Sequence, residues 1–191
     1  MKTNIAILLI ISILTYALTL YLSENSISPR VKDVPDKSSI QKDVQDEQQI
    51  PQFEFTDLNG GNHKSGDFKD KIIILNFWAS WCAPCIKEFP NLLKINDEYK
   101  DSTILIALSS DLDQNAITKF INKMEASQNV NFEAPNIFIA HDEDQKITAK
   151  LFNTFKLPET IIIDQNQNIR HKLIGADWDE NDLRQIIKEL K

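Results

Sequence analysis

Glycine is scarce in this sequence. Gly60, Gly61, Gly66 and Gly175 are the only four in 191 residues, and their spacing permits neither a GxGxxG fingerprint nor a P-loop. Nucleotide binding by those devices is excluded. Basic charge is short as well. Lys and Arg number 21 against 28 Asp and Glu, a net charge of −7, so there is no cationic surplus to neutralise the phosphates of a nucleic acid. Histidine occurs three times, as His63, His141 and His171, and cysteine twice, as Cys82 and Cys85. A structural zinc site needs about four such ligands; here there is no HxxxH and no second CxxC. Two cysteines do not make a disulfide scaffold either, and a chain that is 42% hydrophobic can bury a core without one. The pair is therefore present for chemistry.

Long apolar runs are confined to the beginning. Residues 5–22 carry no charge and, as a helix rising about 1.5 Å per residue, nearly span a bilayer core. No A-x-A-like cleavage site lies between Leu18 and Ser28, and no cysteine precedes Cys82 to carry a lipid. Residues 1–22 thus read as an uncleaved signal anchor, with the transmembrane helix at about 5–22. Residues 23–50 are rich in Ser, Gln, Asp and Lys, with Pro29 and Pro35. Such a stretch cannot bury enough apolar surface to offset its ordering entropy, and it is expected to be a flexible polar tether. A folded domain should follow over 51–191.

Within that domain, FEF at 53–55 suits a short edge strand, and Asn59-Gly60-Gly61 a turn. IIILNF at 72–77 is a continuous apolar run of the kind buried on both faces of a sheet. A helical pattern runs from Pro84 to about Tyr99, with Pro90 inside it, where a kink is expected. TILIAL at 103–108, IFIA at 137–140, TIIID at 160–164 and IRHKLIG at 169–175 read as strands. Asp113 can cap a helix carrying Ile117, Phe120, Ile121 and Met124. Residues 144–152 read as a further helix, and 179–190 as a closing one with Leu183, Ile186, Ile187 and Leu190 as its stripe. Strands alternating with helices, then a hairpin and a helix, imply an α/β fold with a mixed central sheet flanked by helices. The stretch from Asp164 to Asn168 starts like a calcium loop, but Ile169 stands where that loop needs glycine; it reads as a hairpin turn.

The chemistry-bearing stretch is FWASWCAPCIKEFP at 77–90. A strand running into a helix puts the connecting loop at the carboxyl end of the sheet, where α/β folds carry their sites. Cys82 sits there, at a helix N-terminus whose free N–H groups and dipole favour a thiolate. Pro84 fits the first turn, since it has no N–H to leave unpaired, and Cys85 lies one turn on, within reach of a disulfide. A bridge closing so small a loop stabilises little, so an inert staple is disfavoured. A redox dithiol is the leading reading; Cu(I) held by both thiolates and a distant histidine stays open beside it.

This stretch resembles the active-site segment of membrane-anchored TlpA/ResA/CcmG (DsbE)-like thiol:disulfide oxidoreductases of the thioredoxin superfamily. The match is carried by Trp81, Cys82, Pro84, Cys85, Glu88 and Pro90. KLPETIIID at 156–164 resembles the family's cis-proline segment, with Pro158 in that position, and GADW at 175–178 is similar to the TlpA branch. The likeness covers about residues 51–191 and implies a thioredoxin-like fold. It implies that Cys82 attacks a partner's disulfide, that Cys85 resolves the mixed disulfide, that Glu88 handles a proton, and that Pro158 faces the dithiol across the rim. Trp81, Pro84, Leu157 and Glu159 would then contact substrate, while Trp78 belongs to the core. No cofactor beyond the Cys82–Cys85 couple and no metal are implied.

For the whole protein the resemblance implies a reductant of the bacterial inner membrane, single-pass, with its C-terminal domain in the periplasm or otherwise outside the cytoplasm. A membrane thiol carrier would keep it reduced, and its targets would be apocytochrome c or the copper-site proteins of a respiratory oxidase. The rival readings are a DsbA-like oxidant and a copper-binding assembly chaperone.

Overall fold

The computed structural model describes residues 13–18, 48–128 and 130–191. The chain divides into two units, Met1–Lys37 and Ser38–Lys191. In the first, residues 13–18 are helical. Among the described residues no helix is long and apolar enough to cross a membrane; the rest of the 5–22 anchor, and the tether up to residue 47, lie outside them.

The second unit begins earlier than Pro51. Gln49 bridges Asn168, the Ile50 N–H donates to the Gln167 carbonyl at 2.9 Å, and Ile50 is buried. Residues 48–50 thus belong to the domain rather than to the polar segment. Next come β1 (Glu54–Thr56) and β2 (Asn62–Lys64), an antiparallel hairpin. The Asp57 carboxylate accepts from the Asn59 and Gly61 N–H groups and so shapes its turn.

Five strands form the main sheet: β3 (Ile72–Trp78), β4 (Thr103–Ser109), β5 (Ile137–His141), β6 (Glu159–Ile163) and β7 (Ile169–Ile174). Their order is β5-β4-β3-β6-β7. β3, β4 and β5 run parallel, while β6 and β7 are antiparallel to their neighbours. The sheet is mixed, as expected. Every residue of β3 is buried. A central strand covered on both faces has no solvent side, which is why its sequence is a run and not an alternation.

Three helices pack on one face: α1 (Ala83–Glu98), α2 (Gln114–Gln128) and α3 (Glu180–Leu190). α1 buries Phe89, Leu92, Leu93 and Ile95 against Ile72, Ile74 and Trp78, each such side chain contributing roughly 1.5–3 kcal/mol. It continues through Pro90 as one helix. α3 starts at Asp179, whose carboxylate accepts from Asn181 and Asp182 N–H while Asp182 answers the Asp179 N–H, a reciprocal capping box. The other face is covered by the hairpin and an aromatic group in which Phe152 meets Phe53 at 5.6 Å and Phe77 at 5.3 Å between ring centroids.

One expected helix is replaced. Residues 144–152 form a short 3₁₀ turn (Glu143–Gln145) and a π-helical turn (Lys146–Leu151), with Asp144 and Gln145 left-handed at φ 62° and 50°. The buried Asp142 carboxylate accepts from the Ile147 and Thr148 N–H groups. It starts the turn two residues inside the stretch that the apolar pattern suggested.

Candidate active site

Three chain segments meet at the carboxyl end of the central strands. β3 ends at Trp78 and passes through Ala79–Trp81 into α1. β4 runs on into Ser110 and Asp111. β6 enters from Pro158, with Glu159 opposite Phe77. The dithiol lies in the first segment. Cys82 and Cys85 are joined as a disulfide with their Cα atoms 5.3 Å apart. Cys82 is the N-cap of α1, and its sulfur accepts from the Cys85 N–H at 3.3 Å. That donor favours a thiolate at Cys82 when the bridge opens. Cys82 is 6% exposed and Cys85 fully buried, so an incoming sulfur meets Cys82. Pro84 is exposed in the first helical turn.

Glu88, one turn beyond Cys85 on α1, is buried rather than solvated. Burial pushes its carboxyl up to about 8, against the opposing pull of Asn76 and Trp178. Asn76 Nδ2 donates to Glu88 Oε1 at 2.9 Å. At neutral pH this carboxyl is therefore mostly protonated and beside the dithiol's helix turn, where it can give or take a proton.

On the third segment the Leu157–Pro158 peptide is cis. Pro158 is buried, and its carbonyl accepts from the Gly175 N–H at 2.8 Å. Leu157 is half-buried at the rim. Glu159, expected to contact substrate, opens β6 directly after Pro158. Its side chain is buried and lies 3.5 Å from Lys172 Nζ, so it is turned into the domain. Trp78 is core, and Trp81 is 67% exposed beside Cys82.

The redoxin family model matches residues 45–187. The chain belongs to the redoxin family. Within that family it is 32% identical over 133 residues to the thiol-disulfide oxidoreductase ResA of Bacillus thuringiensis, covering 69% of this chain and 71% of that protein. Among solved structures it is similar to a protein described as the thiol:disulfide interchange protein DsbE from Chlorobium tepidum, at 26% identity and TM-score 0.65 over 76% of this chain and 97% of that one. It is similar also to the thioredoxin domain of a thiol-disulfide oxidoreductase from Bacteroides vulgatus, at 25% identity and TM-score 0.60 over 74% and 96%. The fold is thioredoxin-like and the chain is a thiol:disulfide oxidoreductase of the TlpA/ResA/CcmG type.

This redoxin also holds site residues that motif reading passed over. The buried Asp111 carboxylate accepts from Ser80 N–H at 2.8 Å, Ser80 Oγ–H at 2.7 Å and Ser109 Oγ–H at 2.6 Å. It fastens the loop before Cys82 to the end of β4. The neighbouring Leu112 is 97% exposed, and Phe155, three residues before Pro158, is 88% exposed. With Trp81 they are large apolar side chains left at the surface on the same three segments. The signal for Asp111 was its place, an acid two residues beyond the end of a buried strand. Among the described residues no group of three or more His, Cys, Asp or Glu is arranged to hold a metal ion.

Proposed function

We propose that this redoxin is an extracytoplasmic reductant of partner-protein disulfides, tied to the bacterial inner membrane by a single span at about residues 5–22 and a tether over most of 23–50. Its couple is the Cys82–Cys85 dithiol, with no other cofactor. A membrane thiol carrier supplies its electrons, and its targets are proteins of cytochrome c or respiratory oxidase maturation.

The carrying observation is the buried carboxyl of Glu88 one turn beyond Cys85. A dithiol becomes a strong oxidant when its reduced, thiolate form is stabilised. The Glu88 carboxyl and a nearby thiol oppose each other's ionisation, so this side chain offers the thiolate no charge stabilisation, which favours the disulfide and makes the reduced pair a better electron donor. In the exchange, the Cys82 thiolate attacks the partner disulfide, forming a mixed disulfide and releasing one partner thiolate, which takes up a proton as the Glu88 carboxyl gives one up. Cys85 then attacks Cys82 Sγ. Its thiol proton passes to the Glu88 carboxylate, the Cys82–Cys85 bond forms, and the second partner sulfur departs as a thiolate that takes a proton from solvent. Two electrons leave the dithiol and enter the partner.

The partner docks on the rim formed by Trp81, Pro84 and Leu157, with the segment at Pro158 facing the dithiol. Trapping tests this: Cys85→Ser in the full chain removes the resolving thiol, so mixed disulfides through Cys82 should accumulate with extracytoplasmic proteins carrying paired cysteines. Trapped partners that are all cytoplasmic would overturn the reading.

A further inference from the structure

Three residues outside the exchange chemistry converge on Glu88. Asn76 is the only polar member of β3 and is fully buried. A buried amide is costly unless paired, and leucine would suit this run better. Asn76 spends both Nδ2 protons at one place, on Glu88 Oε1 and on Thr160 Oγ1, each at 2.9 Å. Thr160 stands directly opposite it in β6, so the hydroxyl fixes the amide's orientation toward α1. From the segment before α3, the buried Trp178 side chain pulls the same carboxyl toward ionisation, although its Nε1 makes no formed hydrogen bond.

We propose that Asn76, Thr160 and Trp178 are positioning residues for thiol:disulfide exchange, holding the Glu88 carboxyl beneath the dithiol and governing when it releases its proton. This rests on the reading of Glu88 as the proton carrier. Donors aimed at a carboxylate favour its ionised form, so the cradle keeps Glu88 able to ionise despite its burial. The other titratable groups around it are few. Cys82 and Cys85 share its helix. His171 lies on the sheet face of Thr160, two residues from Leu173, which pairs with Thr160. Glu159, adjacent in β6, points to the opposite face and is matched by Lys172.

The test is the pH profile of kcat/KM for the reduced full chain acting on a disulfide-bonded model peptide. Wild type should show a limb belonging to Glu88, which Glu88→Gln erases. Asn76→Leu and Trp178→Phe should each raise that limb, Asn76→Leu by about one pH unit, the size expected for losing one hydrogen bond to a charged group. Thr160→Val should move it the same way by less. Trp178→Phe, which keeps most of the ring volume, guards against a variant that fails to fold, with melting curves run alongside. Folded variants that keep the wild-type limb, while Glu88→Gln erases it, overturn the proposal. A limb that survives Glu88→Gln overturns the proton-carrier reading itself, and the proposal with it.

Discussion

Glu88→Gln should stabilise the oxidised protein, increasingly so as pH rises. The native carboxyl is shifted from 4.5 to about 8, with burial as the leading cause. A raised carboxyl pKa means that the native state holds its proton while the unfolded chain releases it. Stability is therefore lost progressively from about pH 4.5 upward, and the deficit is complete above about 8. At 1.36 kcal/mol per unit, a shift of that size removes about 1 kcal/mol at pH 5 and about 4 at pH 7.5. The gap between wild type and variant should thus widen by about 3 kcal/mol over that range. Glutamine leaves an Oε1 acceptor for Asn76 and carries no charge, so its curve should be nearly flat. For a chain of this size the widening corresponds to roughly 6–12 °C in Tm. Thermal melts of both oxidised proteins from pH 5 to 8 measure it. Parallel curves for the two proteins would refute the reasoning, because Glu88 would then be solvated or already ionised in the native state.

Two further predictions concern the rim and its fastening. Trp81→Ala should leave stability within about 0.5 kcal/mol, since the ring is largely exposed. It should raise KM for a protein disulfide roughly fivefold or more while leaving reaction with a small dithiol unchanged, which steady-state kinetics with both substrates will separate. Asp111→Ala removes the acceptor for Ser80 N–H, Ser80 Oγ–H and Ser109 Oγ–H; denaturant titration should show a loss of roughly 2–4 kcal/mol, and an unchanged midpoint would mean that the loop before Cys82 does not depend on it.

The parts of this architecture that follow from one kind of force were legible in the residues. The buried run of β3, the apolar stripe of α3 and the CAPC turn each follow from burial or from helix-end chemistry alone, and each lies where the pattern puts it. β2 was not legible, because NHK has no apolar residue to mark a strand; it exists through its pairing with β1. The helix expected over 144–152 fails for a related reason. Its apolar spacing is helical, but the Asp142 carboxylate captures the N–H groups of Ile147 and Thr148, five and six residues on, beyond the two or three residues that an ordinary helix cap spans, and the apolar spacing does not report such a capture.

Glu159 follows Pro158 in sequence, but its side chain is buried, its direction set by alternation along β6 and by Lys172 on β7, and the motif carries no sign of that. Asn76 had a signal that went unused. A single amide inside an otherwise apolar strand must find a buried partner, and it finds Glu88 and Thr160, 12 and 84 residues away.

The central claim is that the Cys82–Cys85 pair gives electrons away, and its reduction potential tests this most directly. Equilibrating the full chain with glutathione or dithiothreitol buffers, and reading the fraction of disulfide by thiol alkylation, yields the value. A potential close to that of thioredoxin, about −270 mV, is the predicted result. A value near −120 mV, that of a strong disulfide donor, would contradict the account and make the protein an oxidant.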